Sequence, residues 1–294
     1  LHGYLESLRR FLPAEVIQTY ILYKPDLFAA EYETCFASFP DCQVIRETNF
    51  HRDFMLLFES IKTEYILFGI DDLVYFDSVS WDTVKKTFDC SQDRLFGFSL
   101  RLDKRQMVQD IKAGNVNEYD IDGQAICAVD WTKGQAAAAR YPFELCATIY
   151  RTEDIRCLIA AIRSQNGFAN RFLCPRSAIS GIYGKLFKVR SLYKRLGFFY
   201  NPNTLESWCC RYVQNHPEQF GRLLAFQKIC ASAIQVNMVN TSTANEWDDK
   251  TDLTVENLAE KYRQGWRLNI DWFGQNPPQD THSDAAYFHL KKDL

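Results

Sequence analysis

The sequence predicts an α/β protein, with a mostly parallel central sheet flanked by helices and a more helical C-terminal part. Two patterns carry this prediction. Over the first half of the chain, apolar residues alternate between helical spacing and short β-branched or aromatic runs, the grammar of helices laid against a sheet. The run YILFGI at Tyr65–Ile70 is continuously apolar between charged flanks, as a strand buried on both faces should be.

The elements follow in order. Leu1, Tyr4, Leu5, Leu8 and Leu12 mark an opening helix that Pro13 stops. Val16–Tyr23 (VIQTYILY) reads as a strand, because β-branched and aromatic side chains suit a pleated surface. Phe28, Tyr32, Phe36 and Phe39 return to helical spacing before Pro40, and Cys42–Arg46 is a short strand. Phe54, Leu57, Phe58 and Ile61 form the next helical stripe, which leads into the Tyr65–Ile70 strand. Beyond it we read a helix at Val79–Phe88 and strands at Leu95–Leu102 and Ala125–Trp131. A helix follows at Arg151–Arg163, with Thr152 as its cap and two acids in its first turn. Thr204–Val213, Glu218–Ile234 and the stretch around Val255–Tyr262 read as helices, and Asn240–Asp252 as a polar loop.

The 294 residues suffice for one large domain with a sizeable core. A net charge of -3 and a pI near 6.0 argue against a nucleic-acid binder. No apolar run reaches the ~18 residues a membrane span requires. Neither is there a signal peptide, so the expected location is cytoplasmic, with peripheral membrane association left open. The ten cysteines are scattered without a C-x-x-C pair, which fits reduced structural thiols. A start without Met reads as a fragment or a trimmed chain.

Asp71 and Asp72 stand directly after the buried run. Adjacent carboxylates repel unless a cation or proton is shared, and ligands of open α/β sheets bind beyond the carboxyl ends of strands. The pair therefore suggests Mg²⁺ or Mn²⁺ held against a diphosphate; the plainer reading is a solvated acidic turn. Tyr23, Lys24 and Glu47 close neighbouring strands. Lys24 and Arg52 would offset phosphate charge, Tyr23 would stack on a base, and Glu47 would accept from a base or ribose. For each of these an ordinary surface role competes. Asn201, Asn203 and Glu206 sit in NPNTLE at a helix start. There Asn203 as N-cap and Glu206 as its capping-box partner compete with contacts to an acceptor sugar. Trp131, Trp208, Trp266 and Trp272 are either sugar platforms or packing residues.

The element order, with FGIDDLVYF after HRDFMLLFESIKTEY, resembles a GT-A fold nucleotide-sugar glycosyltransferase of the family 2-like type. FYNPNTLES at Phe199–Ser207 resembles a signature of such proteins in bacteria and large viruses. LESL, ILYK, FPDCQV, VNMVN and GWRLNIDWF extend the resemblance over nearly the whole chain. It implies a single domain: residues 1–135 as the nucleotide-sugar-binding half, and 136–294 as the acceptor-side half with a helical C-terminal region. It further implies Asp71 and Asp72 on a Mn²⁺ or Mg²⁺ ion with His282 as an added ligand, a nucleoside-diphosphate sugar as donor, and a glycan or glycolipid as acceptor. A first strand of the fold, ahead of the opening helix, is missing from the sequence.

One departure stands out. Relatives tend to read YP-x-S-x-D-G where this chain has YPFELCATIYR, so Cys146 takes the Asp position and Ala147 the Gly position. Glu144 or Asp130 then remains as the base for an acceptor hydroxyl. If neither serves, the chain is a non-catalytic carbohydrate- or nucleotide-binding homologue. A nucleotidyltransferase is the other alternative, although no Gly- and Arg-rich phosphate loop is visible.

Overall fold

A computed structural model describes residues 1–13, 17–25, 27–90, 94–165, 198–236 and 253–292. The polar stretch read as a loop at 240–252 and most of VNMVN lie outside the described residues. The first half alternates as the periodicity predicts: α1 (His2–Phe11), β1 (Tyr20–Tyr23), α2 (Ala29–Ala37), β2 (Gln43–Arg46), α3 (Phe50–Ser60) and β3 (Tyr65–Leu67). Then come β4 (Leu73–Tyr75), α4 (Trp81–Cys90), β5 (Leu95–Ser99), α5 (Val108–Lys112), β6 (Val116–Ile121), β7 (Gln124–Val129), β8 (Thr148–Arg151) and α6 (Thr152–Gln165). The C-terminal part holds α7 (Pro202–Asn215), β9 (Arg222–Phe226), β10 (Ala231–Ile234), α8 (Val255–Arg263), β11 (Trp266–Leu268), α9 (Ile270–Gln275), β12 (His282–Ser283) and β13 (Leu290–Lys292).

Local chemistry explains the boundaries. At α3 the Asn49 side chain accepts from the Arg52 amide at 3.0 Å, and Asp53 accepts the Thr48 and Asn49 amides at 2.6 and 2.8 Å. These bonds satisfy orphan donors at the helix start. Asp122 and Gly123, both left-handed with φ of 53° and 79°, form the tight turn that folds β6 back on β7. Thr152 opens α6, but its buried hydroxyl has no hydrogen-bond partner, so it does not cap through its side chain.

The central sheet corrects the predicted topology. Its order is β3-β8-β5-β9-β7-β6, and β5–β9 is its one parallel pair; the other four are antiparallel. The Tyr65–Ile70 run is not a central parallel strand. Only Tyr65–Leu67 is extended in the ladder, at the sheet edge and antiparallel to β8. Nor is the run buried on both faces: Tyr65–Leu67 is half-buried and Gly69 is exposed, so an apolar run fixed neither strand direction nor depth here. Glu218–Ile234 is likewise not a helix but β9 and β10, both almost wholly buried. Short apolar runs of this kind do not distinguish buried helix from buried strand.

Two apolar layers cover the sheet. Phe54, Phe96, Leu158, Phe199 and Leu205 pack on one side, joining α3, α6 and α7. Leu8, Val84, Phe98, Ile149 and Leu224 pack on the other, joining α1 and α4. A register shift between Leu95 and Gly97 lets Phe96 and Phe98 serve opposite layers, as a bulge allows. A second sheet, β12-β10-β4, lies beside the first, and β1 and β2 form a separate parallel pair. Among the described strands, β1 pairs only with β2 and β3 only with β8.

Candidate functional site

β1 and β3 border one cleft of about 760 Å³. Its interior is apolar, lined by Leu8 and Leu12 from α1 and by Phe50, Phe54 and Phe58 from α3. Its rim is polar. Tyr23 at the end of β1, Lys24 just after it, Glu47 after β2 and Asp71 after β3 all line it. The parallel β1–β2 pairing continues one step past the strands, with the Glu47 amide donating to the Tyr23 carbonyl at 2.7 Å. Four residues from three distant chain segments are thereby gathered at one rim, but between two sheets and not along the single sheet edge the sequence predicts, because β1 and β2 pair apart from the sheet that holds β3.

Their states differ. Lys24 and Asp71 are exposed, whereas Tyr23 is half-buried with its ring packed on Tyr32 and Phe36. Arg52 is not part of this edge. It turns back to pair with Asp53 and Thr48 at the start of its own helix. Asp72 follows Asp71 in the turn between β3 and β4. Its Oδ1 is buried without a hydrogen-bond partner among the described residues. Burial, and then the adjacent Asp71 charge, push its carboxyl up to about 6.

Beside Asp72 lies a polar cluster carried by the 143–147 turn. Arg101, 6% exposed, donates to Glu144 Oε2 at 2.7 Å, to Cys146 Sγ at 3.1 Å and to the Thr281 carbonyl at 3.2 Å. Thr148 adds a donor to Glu144 at 2.5 Å. Glu144, expected as a base, is thus committed to an ion pair and a hydroxyl. Burial pushes the Cys146 thiol up, so it stays protonated at neutral pH. Ala147 has φ of 55°, the left-handed region that favours glycine, at the position where the resemblance places Gly. Its amide donates to the Phe68 carbonyl at 2.9 Å, tying this turn to the one that carries Asp72.

Asp130, the other expected base, is remote from this cluster. It caps the turn after β7, accepting from Thr132 at 2.6 Å and pairing with Lys133 at 3.0 Å. Its neighbour Val129 is opposite Leu223 near the start of β9, whereas Arg101 lies beyond the end of β5, which runs parallel to β9. The two therefore occupy opposite edges of the sheet.

His282 is opposite Ala233 on β10, and Ala233 is opposite Leu73 on β4. It thus sits two strands, roughly 10 Å, from the step that carries Asp72. The residue is exposed, yet the surrounding protein and the Arg101 charge push its imidazole down to about 4, leaving it in the neutral form that ligates metals. Among the described residues no three His, Cys, Asp or Glu side chains converge as a ready metal cage. The free oxygen of Asp72 does suit a Mg²⁺-type ion that arrives with a diphosphate and needs one or two protein carboxylates.

Of the residues expected to face an acceptor, Asn201 rather than Asn203 is the N-cap of α7. It accepts the Thr204 amide at 2.9 Å, and Thr204 instead of Glu206 closes the capping box. Asn203 is exposed. Glu206 reaches the other way, accepting from the Tyr141 hydroxyl at 2.8 Å and the Leu145 amide at 2.9 Å. Burial raises its carboxyl. Pro202 and Leu205 of the same helix start line the cleft. Trp131 is buried with its indole on the Gly221 carbonyl, Trp208 packs on Phe199, and Trp272 stacks on His289; these three pack.

The sequence reading passed over Arg101, although a charge inside the apolar run LFGFSLRL is a signal of a buried, paired cation. No helix among the described residues is long and apolar enough to cross a membrane. No protein-family model matches the chain, and no solved structure matches it. Over 165 residues, 53% of this chain and 21% of the relative, it is 26% identical to the bifunctional glycosyltransferase pgtA of Dictyostelium discoideum. The chain therefore spans about a fifth of that relative's length.

Proposed function

We propose that the chain transfers a sugar from a nucleoside-diphosphate donor to a glycan or glycolipid acceptor in the cytoplasm, assisted by Mn²⁺ or Mg²⁺. The observation that carries this reading is the gathering of Tyr23, Lys24, Glu47 and Asp71 at one rim, with the unpartnered Asp72 oxygen in the same turn. Likeness to a glycosyltransferase over about half the chain supports it. In this reading Tyr23 stacks on the base, Glu47 accepts from base or ribose, and Lys24 faces phosphate. Asp71 and Asp72, with His282, hold the metal, which would neutralise charge on the leaving diphosphate. Glu206 and Tyr141 face the acceptor. Calorimetry with UDP and GDP tests the reading: binding in Mn²⁺ that disappears in EDTA is expected, and no heat from either nucleotide in either condition refutes it.

A second reading has its own support. Glu144 is locked by Arg101 and Thr148, and Cys146 is a protonated thiol, so a homologue that binds without turnover fits the 143–147 turn. A sugar-nucleotide hydrolysis assay separates the two, because a pure binder retains affinity and releases no sugar.

A further inference from the structure

Arg101 makes three hydrogen bonds to two segments far apart in sequence. Two go to the 143–147 turn, at Glu144 and Cys146, and one goes to the Thr281 carbonyl, directly before His282. Ser99, at the end of β5, fixes the Arg101 backbone by accepting its amide at 3.3 Å. The guanidinium therefore joins the sheet end, the 143–147 turn and the C-terminal segment at one buried point. A planar fork of five donors is the one side chain that bonds several acceptors in fixed directions while keeping its charge.

We propose that Arg101 is a positioning residue of the transfer site: it fixes the 143–147 turn and the segment that carries His282 at set places around Asp72. The inference rests on the donor-site reading above. β12 needs such a tie because it is only two residues long. Its ladder to β10 rests on the Ala233 amide to Thr281 and the Gln235 amide to Ser283, at 3.0 and 2.8 Å, with Ser232 adding hydroxyl contacts to Asp280 and Ser283 at 2.9 Å. The carbonyl that Arg101 grips is the same one that receives Ala233, so the guanidinium reinforces the last rung before His282. The Nε–H of Arg101 has no partner among the described residues.

Arg101→Lys in the whole chain keeps a cation beside Glu144, but its single nitrogen cannot occupy the two places from which Nη1 and Nη2 donate. Glu144→Gln serves as comparator, since it weakens the turn contact and leaves the Thr281 contact in place. Amide exchange at Ala233 and Gln235 reports whether β12 is docked, and calorimetry with UDP or GDP and Mn²⁺ reports the donor site. In Arg101→Lys we expect faster exchange at these two amides with β5 and β9 unchanged, and nucleotide affinity lower by about 10- to 100-fold, the range for residues that orient metal ligands. Glu144→Gln should leave exchange at both amides as in wild type. Unchanged exchange in Arg101→Lys overturns the inference, as does faster exchange with undiminished affinity, which would make Arg101 a structural tie alone. Wild-type chain that binds neither nucleotide overturns the donor-site reading instead, so the two failures are distinguishable.

Discussion

Two turns meet at the head of the cleft, and they treat their carboxylates in opposite ways. In the 143–147 turn, Glu144 receives the Arg101 guanidinium and the Thr148 hydroxyl. In the turn after β3, Asp72 keeps a buried oxygen with no donor among the described residues. The turns are neighbours, joined through the Ala147 amide and the Phe68 carbonyl, so general surroundings do not explain the difference. The placement of donors does. A satisfied buried carboxylate is architecture. An unsatisfied one is a cost that calls for its own explanation.

The sharpest way to break this contrast is to remove the satisfied acid. Glu144→Ala leaves Arg101 buried and unpaired, and should cost about 3–5 kcal/mol of stability in urea or thermal unfolding. Asp72→Asn should do the reverse, with a pH signature. Its folded value of about 6 lies above the ordinary 3.8, so the proton is held more tightly in the folded state. Stability from this group is full below pH 3.8 and is lost as pH rises toward 6. Asp72→Asn should therefore raise stability at pH 8 by up to about 3 kcal/mol and leave it unchanged near pH 3.

Gly69 sharpens the comparison from the backbone side. A Cβ there would fall 2.1 Å from the Tyr4 hydroxyl, so Gly69→Ala should displace α1 from the cleft wall and cost roughly 1–3 kcal/mol. Ala147 is the counterpart in the other turn, and the smallest effect. Its φ of 55° is strained for a residue with a Cβ, so Ala147→Gly should stabilise by about 0.5–1 kcal/mol, measurable as a small rise in melting temperature. A fall in stability on Ala147→Gly would show that the methyl group's packing outweighs backbone strain at this buried position.

What the sequence made legible follows from which signals are local. Helical stripes such as Phe54, Phe58 and Leu5, Leu8 report a buried face directly, and α1, α2, α3 and α6 appear close to where periodicity puts them. The gathering of Tyr23, Lys24, Glu47 and Asp71 at one rim was legible in so far as all four stand at or just past strand ends; that β1–β2 and β3 belong to different sheets was not. Strand direction was not, since β5, β8 and β9 are buried on both faces and read alike whichever way they run. Nor was the commitment of Glu144 legible: its partners Arg101, just past β5, and Thr148, on β8, are brought together by a strand adjacency that only the folded sheet creates. The capping roles at α7 were misassigned by two residues because Asn201, Asn203 and Thr204 all suit a helix start.

The one-sided pairing of β1 and β3 has a last consequence. Among the described residues β1 and β3 each pair on one side only and both line the same greasy slot, so an extended segment lodged there would meet an unpaired strand margin on either flank. The helices above and below the slot dictate what could lodge: side chains pointing either way would meet Leu8 and Leu12 or Phe54 and Phe58. Only a stretch that is oily on alternate residues of both parities would fit.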